Sequence, residues 1–140
     1  MADRKRLIRL QRLEKVRAIA KQTAMAEAAR AESTLAQLQA LEQRTRDLAH
    51  SYARRDEATD AHALRQTGRF SQGLQGMVAS TAHDTARARA MADARMAELG
   101  LAERRRAAVA DRAEAQARAL DKARQDPVLG ARRATGTGLE

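Results

Sequence analysis

The chain has 140 residues, with 27 Lys and Arg, 18 Asp and Glu, 34 Ala, one Phe and one Tyr. A compact domain of this length fills its core mostly with Leu, Ile, Val and aromatic side chains, so the composition excludes a globular core. An Ala-, Arg-, Glu- and Leu-rich chain is typical of long helices and coiled coils. The net charge of +9 favours an acidic partner, which includes nucleic acid, an anionic membrane and an acidic protein surface.

Several functional classes are not expected. No apolar stretch is long enough to predict a transmembrane helix, and the basic N-terminus lacks the apolar core of a secretory signal. The absence of Cys excludes disulfides and thiolate metal sites and is compatible with the cytoplasm. His50, His62 and His83 lack ligand spacing, and no Gly-rich phosphate loop is present. We therefore expect no metal, no cofactor, no small-molecule substrate and no enzymatic activity.

Two sites in the sequence are predicted to interrupt helical structure. Three of the seven Gly residues cluster at Gly68, Gly73 and Gly76, and Asp126 precedes the single Pro. We predict an antiparallel coiled-coil hairpin over 1–126, with helix one at about 3–66, a turn at about 66–70, helix two at about 70–126, and a flexible tail over 127–140.

Each predicted helix carries one apolar stripe with steps of three or four residues. The stripe of helix one is Leu10, Leu13, Val16, Ala20, Ala24, Ala28, Ala31, Leu35, Leu38, Leu41, Thr45, Leu48 and Tyr52. The stripe of helix two is a strict seven-residue repeat of Leu74, Val78, Thr81, Thr85, Ala88, Ala92, Arg95, Leu99, Ala102, Arg106, Val109, Ala113, Gln116, Leu120 and Ala123.

These stripes predict an all-α fold: a long two-helix antiparallel coiled-coil hairpin with a disordered C-terminal tail. One uninterrupted helix that pairs between chains is the alternative. The basic residues are concentrated in two segments. Residues 1–21 carry eight basic and two acidic side chains, and residues 104–133 carry nine and four. A hairpin places these segments side by side at its open end.

The two aromatic residues, Tyr52 and Phe70, lie toward the predicted turn. Their helical spacing groups them with apolar residues and threonines on one face of each helix. The two sets are Leu41, Thr45, Leu48 and Tyr52 on helix one, and Phe70, Leu74, Met77 and Thr81 on helix two. Two interpretations stay open. These residues form either part of the seam, the line along which the two helices pack against each other, near the turn, or a partly exposed patch for a protein partner.

Two segments resemble a known family. The basic, Leu-rich opening Arg6-Leu7-Ile8-Arg9-Leu10-Gln11-Arg12-Leu13-Glu14-Lys15-Val16-Arg17 is similar to the start of the flagellar type III export protein FliJ and its injectisome counterparts. Phe70-Ser71-Gln72-Gly73-Leu74 resembles the start of that family's second helix. The resemblance spans about residues 4–125.

The resemblance implies a cytoplasmic antiparallel coiled coil like the central stalk of rotary ATPases. Family members insert their terminal end into the hexameric export ATPase, bind the cytoplasmic domain of the export gate's membrane protein, and assist export chaperones. The gate-binding residues implied here are Leu41, Thr45, Leu48, Tyr52, Phe70, Leu74, Met77 and Thr81. The ATPase-facing residues, chosen by charge and location, are Arg9, Arg12, Arg17, Arg105 and Arg112.

The leading hypothesis is therefore a non-enzymatic stalk and adaptor protein of the flagellar export apparatus, which is a monomeric hairpin, cytoplasmic and peripherally associated with the inner-membrane export apparatus. A basic coiled-coil module that binds nucleic acid or anionic lipid is an alternative, although readers of single-stranded nucleic acid usually add aromatic stacking that this chain lacks. A generic coiled coil that oligomerises through its seam is the third hypothesis.

Overall fold

The computed structural model describes residues 1–54 and 61–134, with side chains described up to residue 126. It contains two α-helices, α1 at Ala2–Arg54 and α2 at Ala61–Ala134, which pack against each other. The described residues contain no strand, so the predicted all-α two-helix fold is confirmed. Neither helix has a stretch that is long and apolar enough to cross a membrane, within the residues described.

The chain divides into two compact units, and each contains part of both helices. Unit 1 comprises Met1–Ala24 and Leu99–Glu140, and unit 2 comprises Met25–Glu98. In both units, contacts between the helices join rising residue numbers on α1 to falling numbers on α2, so the helices are antiparallel. The contacts are Asp3–Gln116 and Lys21–Glu103 in unit 1, and Glu27–Arg95, Leu38–Thr85 and Tyr52–Phe70 in unit 2.

The predicted turn at 66–70 is wrong. These residues lie inside α2, and α1 ends at Arg54 rather than at about residue 66. Gly68 and Gly73 are helical, and no described glycine has a positive φ. A Gly in a helix interior costs about 1 kcal/mol relative to Ala, which weakens a helix without ending it. Residues 55–60, between the two helices, lie outside the described residues.

The predicted end of helix two at residue 126 is also wrong, because α2 continues to Ala134. Pro127 biases the preceding residue away from helical backbone, but helices that contain a Pro are the known exception. Residues 135–140 of the predicted tail lie outside the part of the chain that the structure describes.

The core of unit 2 is a narrow seam of small and aliphatic side chains. Leu35, Ala88 and Ala92 form a buried cluster, and Ala31 and Leu38 pack against it. Ala92 is completely buried, and its single methyl group leaves room for the helices to approach closely. The Ala-rich composition therefore suits this unit.

The seven-residue repeat predicted for helix two is confirmed from Leu74 to Leu120, where every member is buried or half-buried. Its last member, Ala123, is exposed. The alternating steps of four and three keep these positions facing α1 from Leu74 to Leu120.

The stripe predicted for helix one is only partly correct. Leu10, Ala24, Ala28, Ala31, Leu35, Leu38, Thr45 and Tyr52 do lie in the seam, whereas Leu13, Val16, Ala20, Leu41 and Leu48 are exposed. Their places are taken by Glu14, Arg17, Lys21, Glu42 and Ala49, which are half-buried.

The physical reason for this difference is the angle between successive stripe positions. A step of three residues falls about 60° short of a full turn, and a step of four overshoots by about 40°. Two successive steps of three, such as Leu35 to Leu38 to Leu41, therefore rotate the stripe away from the partner. Strict alternation is what keeps a helix in register with its neighbour.

Candidate partner-binding surfaces

The structure places all eight residues of the expected gate-binding set in unit 2, but three of them are unavailable. Leu74, Thr45 and Thr81 are 4%, 5% and 8% exposed and belong to the seam between the helices. They cannot contact a partner while the helices stay paired. For these three residues, the interpretation as seam is confirmed.

The buried threonines are accommodated because their hydroxyl groups bond to nearby backbone. Thr45 Oγ1 donates to the carbonyl oxygen of Leu41 at 2.8 Å, and Thr81 Oγ1 donates to that of Met77 at 2.9 Å. Thr85 Oγ1 lies 2.8 Å from the carbonyl oxygen of Thr81 and 3.3 Å from that of Leu38 on the other helix. Hydroxyl groups paired in this way avoid the cost of a buried, unsatisfied polar atom.

Four members of the set are exposed apolar side chains, and we call them the unit 2 patch: Leu41, Leu48, Phe70 and Met77. Their exposed fractions are 47%, 46%, 47% and 53%, respectively. Each one immediately precedes a seam position on its own helix. In an antiparallel pair, residues that precede equivalent seam positions on the two helices flank the same side of the seam.

Contacts on this flank support that geometry. Glu27 of α1 and Glu98 of α2 also immediately precede seam positions, and Arg95 Nη1 lies 3.1 Å and 3.0 Å from their carboxylate oxygens. One side chain therefore touches the same flank of both helices.

Tyr52 links the patch to the seam. Its ring lies 4.5 Å from the ring of Phe70, between centroids, at a tilt of 51°. This is a favourable arrangement for an aromatic pair. Tyr52 is half-buried and holds Phe70 against the helix pair. A fixed aromatic ring loses less conformational entropy on binding than a mobile one.

A shallow groove of about 540 Å³ also lies in unit 2. Half of its eight lining residues are Ala, and the others are Arg46, His50, Gln75 and Val78. His50 has no companions there for metal binding, because the described residues contain no group of three His, Asp or Glu side chains that could hold an ion.

All five residues expected to face the ATPase lie in unit 1. Arg9, Arg12, Arg105 and Arg112 are exposed and available to an acidic partner. Arg17 differs from them because it occupies a seam position and is half-buried. Its Nε atom is buried with no hydrogen-bond partner, so Arg17 is less accessible to a partner than the other four.

The seam of unit 1 also contains an ionic network centred on Glu103. Arg106 donates two hydrogen bonds to this carboxylate, at 2.9 Å and 2.7 Å, and Lys21 Nζ lies 2.9 Å from it. Hydrogen bonding from Arg106, and then from Lys21, lowers the pKa of Glu103 from 4.5 to about 2. The same bond raises the pKa of Arg106. Lys21 and Glu103 connect α1 to α2, so the network helps to hold the helices in register.

Unit 1 also has an apolar surface that the predicted stripes do not account for. Ile8, Val16 and Ile19 are 42%, 59% and 63% exposed, although Val16 was expected in the seam. A strict seven-residue repeat, extended back from Ala24 to Leu10, would have identified this surface, because it places Arg17 and Lys21 in the seam.

Comparison with known proteins identifies no relative. No protein-family model matches the chain, and no curated protein or solved structure is significantly similar to it. Function must therefore be inferred from the residues and their geometry.

Proposed function

We propose that this chain is a non-enzymatic adaptor of the bacterial flagellar type III export apparatus. In this proposal it works as a monomeric hairpin in the cytoplasm, at the inner-membrane export machinery. Unit 1 binds the hexameric export ATPase, and unit 2 binds the cytoplasmic domain of the export gate. The adaptor also assists export chaperones.

The observation that carries the proposal is the unit 2 patch. Leu41, Leu48, Phe70 and Met77 are large apolar side chains left in solvent on one flank of the helix pair, and Phe70 is braced by Tyr52. Clustered exposed apolar side chains of this kind are typical of protein-binding surfaces, where aromatic residues often dominate the affinity. The patch includes the Phe70 segment on which the family resemblance partly rests.

The exposed arginines of unit 1 support the second contact. Arg9, Arg12, Arg105 and Arg112 present fixed positive charge that complements an acidic inner surface of an ATPase ring. Contacts of this kind are screened by salt. We therefore expect affinity for the ATPase to fall steeply as ionic strength rises.

A double variant tests the gate contact. Leu48→Gln with Met77→Gln should reduce affinity for the purified cytoplasmic domain of the export gate at least tenfold, measured by calorimetry. Gln preserves helix propensity, so the fold is retained. The matched control is Met25→Gln with Met96→Gln, at positions 50% and 48% exposed in the same unit but outside the patch. Equal affinities of the two double variants would contradict the proposal.

Charge reversal tests the ATPase contact. Changing Arg9, Arg12, Arg105 and Arg112 to Glu should abolish binding to the export ATPase and stimulation of its activity. Arg17 is left unchanged because it lies in the seam. The control reverses the same number of exposed charges in unit 2, at Arg30, Arg44, Arg87 and Arg89. Unchanged stimulation by the unit 1 variant would show that the proposed assignment is wrong.

Light scattering separates the adaptor from a coiled coil that only oligomerises. A monomeric mass is expected for the full chain at micromolar concentration. A stable dimer or larger assembly would instead favour a structural role through helix pairing between chains.

A further inference from the structure

The N-terminal part of α1 has an exposed surface that the helix pair does not use. Ile8, Val16 and Ile19 are all partly or mostly exposed, and no seam position includes them. At about 100° per residue, these three side chains fall within an arc of about 80° on α1. The seam positions Leu10 and Arg17 lie on the opposite side of the helix.

The same arc carries only positive charge. Lys5 and Arg12 lie within this arc, Lys15 lies about 20° beyond its edge, and all three are exposed. The first 23 residues contain two acidic side chains, Asp3 and Glu14, and both fall on the seam side of the helix. We call the six residues Lys5, Ile8, Arg12, Lys15, Val16 and Ile19 the outward face of α1.

We propose that the outward face of α1 binds an anionic membrane surface, with the helix lying parallel to the bilayer. Its aliphatic side chains enter the boundary between headgroups and acyl chains, and its Lys and Arg side chains contact anionic headgroups. A helix that combines an apolar face with basic residues is suited to this interfacial position. The inference goes beyond the proposed adaptor function, which uses Arg12 of this face and assigns no role to its aliphatic side chains.

The composition of the face favours a bilayer over other acidic partners. Nucleic acid binding would use the cations and leave Ile8, Val16 and Ile19 without a role. Protein interfaces are usually anchored by aromatic residues in pockets, and residues 1–23 contain no aromatic residue. A bilayer surface can contact both the aliphatic and the basic side chains of this face. Ile8 and Ile19 are separated by about 16 Å along the helix axis.

Sedimentation with vesicles tests the proposal on the full chain. Vesicles with about 30% phosphatidylglycerol in phosphatidylcholine should bind the protein at least tenfold more strongly than pure phosphatidylcholine vesicles. The triple variant Ile8→Gln, Val16→Gln, Ile19→Gln should lose about tenfold in partitioning to anionic vesicles. The triple variant Lys5→Gln, Arg12→Gln, Lys15→Gln should lose at least as much and show a weaker dependence on salt.

The control variant is Met25→Gln with Met96→Gln, which removes apolar side chains of comparable exposure from unit 2, outside the unit 2 patch. It should bind vesicles like the wild type, and circular dichroism should show the same helix content for all variants.

Equal binding to anionic and neutral vesicles would overturn the proposal. An aliphatic triple variant that binds anionic vesicles as well as the wild type would also overturn it, because the side chains would not enter the bilayer. Retained binding to duplex DNA together with no vesicle binding would assign the positive charge to nucleic acid instead. None of these outcomes affects the adaptor proposal, whose ATPase and gate measurements use no lipid.

Discussion

The two units of this hairpin use the same seven-residue repeat with different side chains. In unit 2 the seam consists mostly of Ala, Leu and Thr, with Leu35, Ala88 and Ala92 at its centre and Glu42 and Arg95 as charged members. In unit 1 the same repeat places Arg17, Lys21 and other charged side chains in the seam. Aliphatic residues of unit 1, such as Val16, are displaced outward.

This difference shows that register is a property of the whole helix pair. A charged residue stays in the seam of unit 1 because rotating α1 locally would break the alternation that aligns it with α2. The consequence is functional as well as structural, since displaced aliphatic side chains become surface. Leu41 and Leu48 in unit 2, and Val16 in unit 1, are exposed for the same geometrical reason.

The largest expected effect is a loss of stability, which compares how much the seams of the two units contribute to the free energy of unfolding. Leu35→Ala should lower the free energy of unfolding by about 2–3 kcal/mol, because it removes a buried side chain from the densest cluster of unit 2. Leu10→Ala, at a half-buried position of unit 1, should cost no more than about half as much. Urea denaturation followed by circular dichroism measures both values. Equal losses would show that the two seams contribute alike.

Replacing the charge at a seam position of unit 1 should increase stability. Arg17→Leu removes a buried Nε atom that lacks a partner and adds an aliphatic side chain to the seam, for a gain of about 1 kcal/mol. Arg12→Leu, at an exposed position, is the control and should change the free energy of unfolding by less than about 0.5 kcal/mol. A destabilised Arg17→Leu variant would indicate that this side chain is well satisfied in the seam.

The helical glycines allow one substitution to be compared in both units. Gly100→Ala in unit 1 and Gly73→Ala in unit 2 should each stabilise the protein by about 0.5–1 kcal/mol, since both backbones are helical. A Cβ at either position would have no packing neighbour within 4 Å. Thermal unfolding measures the gain. A loss at Gly73 would indicate that α2 needs a flexible residue there.

The smallest expected effect is a loss of thermal stability at acidic pH. The pKa of Glu103 is about 2 in the folded protein and 4.5 for the unperturbed group, so its contribution to stability is present above pH 4.5 and is lost as the pH falls toward 2. The melting temperature of the wild type should therefore fall more over this range than that of Glu103→Gln. Glu114→Gln is the control, because Glu114 is exposed and its ion pair with Arg118, at 3.8 Å, is longer than the ion pairs of Glu103. Parallel acid curves for wild type and Glu103→Gln would contradict the expectation.

Part of the candidate site was predictable from the sequence. Phe70 and Tyr52 were identified as informative because they are the only aromatic residues, and their rings are in contact. Which neighbours are exposed was not predictable from spacing alone. Leu74 and Met77 lie on the same predicted face, yet one is buried and the other is exposed, because a difference of about 60° decides whether a side chain meets the other helix.

The sequence by itself determined an all-α hairpin, the register of α2 and the concentration of positive charge near the termini. These features follow from local periodicity and composition, which are properties of a single chain segment. The tertiary structure decided where α1 ends, that the Gly68 segment is helical, and that Leu41, Leu48 and Val16 face solvent. These outcomes depend on the packing of α1 against α2, because the partner helix selects one of two similar stripes and excludes the other.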